Sequence, residues 1–137
     1  MAKEAGFPMT VTVDDSAGAG KDISNDITNI SFGTPSGVQD VTGLDKSAIE
    51  RILLLADGSG TLNGVFNDAA DKSHAVLKNY RTIFAGLVGR TLAIAISGQT
   101  LSMEVVFTDY GLTRAADGSL TWSAPFQLSD GTVPAWS

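Results

Sequence analysis

The chain of 137 residues, 14.2 kDa, has room for one domain with a real core and none for a second, and its 43% hydrophobic and 18% charged residues give a folded, globular composition. The absence of cysteine excludes disulfides, thiolate metal sites and cysteine nucleophiles, and the single histidine, His74, excludes any multi-histidine metal centre. A net charge of −6, with only nine scattered basic residues, argues against a sequence-reading nucleic-acid binder, and the longest apolar run, Ile52 to Ala56, is far short of a membrane span.

Twelve of the acidic residues are Asp, the residue of turns and caps, and with 15 glycines they point to a turn-rich, mainly β protein. The amino terminus shows no apolar signal segment, so synthesis in the cytoplasm is expected, with residues 1–8 as a flexible arm. Met9-Thr-Val-Thr-Val13 alternates as a strand, and residues 14 to 21 read as a hairpin tip. A second β segment runs from Ile23 to Phe32, with Ile30 and Phe32 in phase and Ile27 out of phase, which predicts a bulge or a change of face. Residues 33–46 hold three glycines and a proline without periodicity and predict a long loop, a class of segment that is usually functional in a compact domain.

Ser47-Ala-Ile-Glu50 has the form of a capping box and predicts the start of a short helix, ended by Asp57-Gly-Ser-Gly60 before a β segment over residues 61 to 66. Asn67 or Asp68 can cap a second helix, residues 69 to 80, with Ala69, Ser73, Val76, Leu77 and Tyr80 on one stripe. After an apolar connection, residues 83 to 89, the alternation strengthens: Leu92, Ile94 and Ile96, then Leu101, Met103, Val105 and Phe107, then Leu120, Trp122, Ala124, Phe126 and Leu128. Pro125 cannot donate to a ladder, which predicts an edge position or a bulge for that last strand. Three such strands form a meander that needs covering, so the fold class is an antiparallel β-sandwich or barrel with one or two short flanking helices. Phe107, Trp122 and Phe126 are spaced as core residues.

No phosphate loop, nucleophile elbow or metal-binding helix motif is present, and the Asp pairs Asp14/Asp15 and Asp68/Asp71 sit where turns and helix starts explain them. Neither an enzymatic activity nor a cofactor or metal is expected.

The stretch from Gln39 through Gly58-Ser-Gly-Thr-Leu-Asn-Gly-Val-Phe66, read as loop, short helix and Gly-x-Leu-x-Gly strand, resembles the major tail tube proteins of long-tailed bacteriophages. The stretch from Phe107-Thr-Asp-Tyr through Asp117-Gly to Gly131 is similar to that family's closing strand pair. Order and spacing carry the resemblance, which covers nearly the whole chain from Val11 onward. It implies a fold shared with the type VI secretion tube protein, hexameric rings stacked into a hollow tube in the virion, and a genome that passes through the lumen as transient, non-specific cargo. Tail terminator, tape measure and baseplate or tail-tip proteins would then be partners, and a membrane would not. Pro35, Ser36, Gly37, Val38, Gln39, Asp40 and Val41 would make the inter-ring loop, and Ser102, Glu104, Thr108 and Asp109 are candidates to face the lumen. The competing reading is a small β-sandwich module that binds carbohydrate or a host surface; against it, residues 33–46 contain no aromatic side chain.

Overall fold

Strict alternation at period two places one face of each strand inward, and in the computed structural model, which describes residues 8–137, that pattern builds the centre of the molecule. The expected amino-terminal arm lies, apart from Pro8, outside the described residues. In chain order the elements are β1 (Thr10–Asp14), β2 (Gly20–Asp22), a 3₁₀ turn (Ser24–Asp26), β3 (Ile27–Gly33), β4 (Ser36–Asp40), β5 (Arg51–Ala56) and β6 (Ser59–Val65). There follow α1 (Ser73–Leu77), β7 (Arg90–Ile96), β8 (Gln99–Phe107), β9 (Gly111–Arg114), β10 (Leu120–Leu128) and β11 (Ala135–Trp136). Nine strands form one antiparallel sheet along the path β2-β1-β7-β8-β10-β6-β3, with β9 beside β10 and β11 beside β8, while β4 and β5 pair only with each other.

Register explains the core. Val11 and Val13 oppose Ile94 and Leu92, which in turn oppose Leu101 and Met103, so one apolar row crosses three strands. Phe126 opposes Phe107 and Ala124 opposes Leu62, extending the row to β6. The 3₁₀ turn brings the far end of the sheet back to β1: Ile23 N donates to Val11 O at 3.1 Å, and Val11 N donates to Ser24 Oγ at 2.7 Å. The sheet thereby curls over its own apolar face as a β-sandwich, and Ile23, Val76 and Leu77 close the interior.

Two of the large core rings lie over glycine. Trp122 opposes Gly64 and Phe126 opposes Gly60, and a Cβ on either glycine would stand 2.7 Å from the facing ring. No side chain larger than hydrogen fits beneath these rings, which is what the Gly-x-Leu-x-Gly spacing accomplishes in three dimensions.

Several expectations change. The strand holding Pro125 lies inside the sheet, between β6 and the β8–β9 pair. Thr108 N donates to Pro125 O at 3.0 Å, so the proline's backbone faces the break between β8 and β9, where no ladder donor is required. The irregularity sits on the partner strands, and the register shift at Ile27/Asn29 supplies the bulge expected in β3. Residues 47 to 50 form no helix; Glu50 N donates to Thr42 Oγ1 at 2.8 Å, and Glu50 O accepts from Val41 N at 3.0 Å. A capping box works only ahead of an apolar stripe at helical spacing, and the unbroken apolar run after Arg51 forms β5 instead.

The helix expected over residues 69 to 80 is confined to α1, and no side chain from its own N-cap serves it. Buried Asp26 takes that role from across the fold, accepting from Ser73 N at 3.0 Å and from Asn67 Nδ2 at 2.9 Å. Asp26→Ala leaves both donors without their acceptor, and a loss of about 1–3 kcal/mol is expected in equilibrium denaturation; an unchanged denaturation midpoint would show that water replaces the carboxylate.

Candidate functional site

From Gly33 to Leu55 every residue is exposed, although the stretch carries eight large aliphatic side chains: Val38, Val41, Leu44, Ile49 and the run Ile52 to Leu55. The part expected as a loop, residues 33–46, contains β4. Ser36, Val38, Gln39 and Asp40 of that strand oppose Ala56, Leu53, Ile52 and Arg51, so Ser36, Gly37, Val38, Gln39 and Asp40 are strand residues, flanked by Pro35 and Val41. The partner strand β5 supplies the order that the glycine- and proline-rich sequence conceals. Pro35 O accepts from Asp57 N at 2.8 Å at the base of the hairpin, and Asp40 Oδ1 accepts from Thr42 N and Thr42 Oγ1 at 2.9 and 2.6 Å near its tip. Those two bonds hold the Asp40 carboxyl below its ordinary range.

Both faces of this ribbon are apolar. Val38, Leu53 and Leu55 share one face with the opposed charges Asp40 and Arg51; Ile52 and Leu54 lie on the other. Leu53 and Leu55 are 75% and 91% exposed. A strand that reads as a continuous apolar run is one built to be covered on both sides, and nothing within the described chain covers this one. The ribbon offers shape and apolar area, with no aromatic platform for stacking a sugar or base.

The candidate lumen residues divide. Ser102 and Glu104 line one open depression of about 340 Å³ together with Thr91, Asp130 and Thr132. Glu104 Oε1 accepts from Thr91 Oγ1 at 2.7 Å. Thr108 and Asp109 are exposed beyond the end of β8 and do not join this depression. Phe107, Trp122 and Phe126 lie in the core, where Phe107 and Phe126 meet edge to face at 6.0 Å.

His74 packs against Phe66 with ring centroids 4.7 Å apart, and its Nδ1 is 3.2 Å from Tyr110 Oη. Burial, and then the charge of Asp26, push the Tyr110 phenol up to about 12, so it keeps its proton at neutral pH. The pair bridges α1 to the start of β9. Among the described residues no group of three or more His, Asp or Glu is placed to hold a metal ion, and no helix is long and apolar enough to cross a membrane.

Sequence reasoning missed a second exposed apolar site, the connection after α1. Phe84, Leu87 and Val88 face outward there, and the residue that shapes it is Arg90, buried at the start of β7. Its guanidinium donates to Val76 O at 2.6 Å and to Thr82 O at 2.9 Å, and also to Asn79 O. Burial lowers the Arg90 pKa, an effect opposed by the nearby charges of Asp15 and Asp14. An arginine opening a strongly alternating strand, just after an apolar stretch without periodicity, was the available signal.

The architecture defined here is a curled antiparallel β-sandwich with a projecting two-stranded apolar hairpin. No protein-family model matches the chain, and no curated protein matches it. Among solved structures, a chain in the tail of an empty gene transfer agent particle, refined helically with C6 symmetry, superimposes with a TM-score of 0.71 at 18% identity, covering 98% of each chain. A chain in the virion of the native gene transfer agent particle gives the same TM-score and identity, covering 98% of this chain and 99% of that one. A chain in the sixfold-symmetrised baseplate of the anti-feeding prophage gives 0.62 at 12% identity, covering 100% of this chain and 97% of that one. The chain has the fold found in these tail and baseplate assemblies, and the resemblance to tail tube proteins read from the sequence is matched at the level of fold.

Proposed function

We propose that this chain is a structural tail tube subunit that assembles as stacked hexameric rings, forming in the virion the conduit for genome delivery. The observation that carries this reading is the apolar hairpin, whose two uncovered faces demand partners, on a fold shared end to end with a chain of a C6-symmetric tail. Head-to-tail interfaces close within a ring and repeat along an axis, so one small chain makes a long cylinder. The partners of such a tube are further copies of itself, then terminator, tape measure and baseplate or tail-tip proteins, with DNA as passing cargo. The role asks no catalysis of the subunit.

Sedimentation and negative-stain microscopy over a concentration series test the reading: rings or open-ended cylinders are expected, and compact monomers or two-fold dimers in every salt would overturn it. Within this reading the inter-ring segment is the hairpin, Pro35 to Val41 on its first strand, and the depression holding Ser102 and Glu104 faces the lumen. The depression is lined by carboxylates and hydroxyls, with Met103 and Val133 and no basic side chain, and so gives the phosphates of a moving duplex, about one charge per 1.7 Å, no cation to bind. Glu104→Lys is expected to leave cylinders intact and slow genome ejection, more at low salt than at high; equal ejection rates would place Glu104 on the outer wall.

A further inference from the structure

A head-to-tail interface joins two unlike surfaces, so a hairpin that projects from one copy needs a different, complementary surface on the next. From the outward display of Phe84, Leu87 and Val88 beside Lys78 and Arg81, we infer that the segment following α1 is the receiving surface for the β4–β5 hairpin of a neighbouring copy. The inference rests on the tube reading and names the partner surface of its hairpin.

Phe84 and Val88 are 52% and 57% exposed, so the chain itself leaves them uncovered. The chain that leads into them is held from within, and Leu87 N donates to Phe84 O at 3.0 Å. Arg90 is 2% exposed and spends its donors on the carbonyls of Val76, Asn79 and Thr82, while Phe84 packs its Cβ and ring against Gly18. A buried cation that anchors the chain at Val76, Asn79 and Thr82, immediately before the outward-pointing apolar side chains, limits the freedom of the platform and so the ordering entropy lost on docking.

Charge supports the pairing. Lys78 and Arg81 flank the platform and are exposed. Arg81 stacks over the ring of Tyr80 at 4.9 Å, and neither base forms an ion pair among the described residues. On the hairpin, Asp40, Asp45 and Glu50 outnumber Lys46 and Arg51, and only Lys46 and Glu50 are paired, at 3.7 Å. An acidic apolar ribbon and a basic apolar platform on the same chain are complementary from copy to copy.

The cysteine-free chain gives a clean test. Leu53→Cys and Val88→Cys are made separately in the full chain, at exposed positions that spare the core, then mixed, assembled and oxidised. A covalent dimer that forms in the mixture and disappears on reduction is expected, because a disulfide needs Cα atoms within about 7 Å; the doubly substituted chain should give a ladder that runs on past the hexamer, since contacts between rings repeat along the axis without closing. Phe84→Asp should raise the concentration needed for assembly by at least tenfold, and Arg81→Glu by about threefold at low salt, the scale of an exposed ion pair. Normal cylinders in which Leu53→Cys cross-links to Leu112→Cys, an exposed position on β9, and not to Val88→Cys, would overturn this surface while leaving the tube reading in place. Failure of the unaltered chain to assemble under any condition would overturn both.

Discussion

Replacing Leu53 and Leu55 by Asp is expected to leave the subunit folded and to abolish cylinders at every concentration where the native chain forms them. Both side chains lie outside the core, and the ladder between β4 and β5 is made of backbone bonds, so the melting temperature should move by no more than about 0.5 kcal/mol of stability would allow. Covering each leucine at an interface contributes about 1.5–3 kcal/mol, so losing two costs roughly two to four orders of magnitude in each association step, before the cost of burying the new carboxylates is added. Sedimentation and thermal melts on the same samples decide the matter. Assembly at the native threshold would remove the hairpin from the interface, and a large fall in melting temperature would show that the hairpin is part of the fold's own stability.

Trp122→Ala is expected to cost about 3–5 kcal/mol and to lower the melting temperature by roughly 10–20 °C. The indole is 2% exposed, it lies over Gly64, and its Nε1 donates to Val65 O at 2.8 Å, so truncation opens a cavity and also removes the donor to that carbonyl. Gly64→Ala attacks the same contact from below, since its Cβ meets both the ring and Asp26 O. The double variant should lose less than the sum of the two single losses, because removing the ring relieves part of the added methyl's clash. Strict additivity would show that the ring moves aside from the glycine in solution, and an unchanged melting temperature for Trp122→Ala would favour a ligand-binding surface over a core.

The parts of the fold that were legible are those whose sequence obeys one period. β7, β8 and β10 alternate without a break, and their inward residues are the core; the bulge near Ile27 followed from a phase error visible in the sequence. The first strand of the hairpin read as a loop, because β4 has just one large apolar residue, Val38, after Pro35 and Gly37, and its strand character comes from β5. Asp26 could not be found from sequence as the cap of α1, since 47 residues separate it from Ser73. Arg90 was hidden for the same reason: its acceptors are backbone carbonyls, which every residue type carries. Of the candidate site, glycine content singled out residues 33–46 as a segment apart, and strand phase placed Ser102 and Glu104 on the face of β8 away from the core. The platform after α1 has no period at all, and its meaning comes from which way its side chains point.

The exposure of every residue from Gly33 to Leu55 also bears on how such a chain changes over generations. Substitutions under the rings of Trp122 and Phe126 are judged by whether the subunit folds. In the proposed tube, substitutions in the hairpin would be judged by whether a neighbour still accepts it, and the fold would be indifferent to them. Two sets of residues in one small protein would thus answer to separate selective pressures, and the hairpin could diverge quickly provided that the proposed receiving surface changes in step. Related subunits with similar cores would then fail to mix in one cylinder, so each lineage keeps its own particle pure without any further means of recognition.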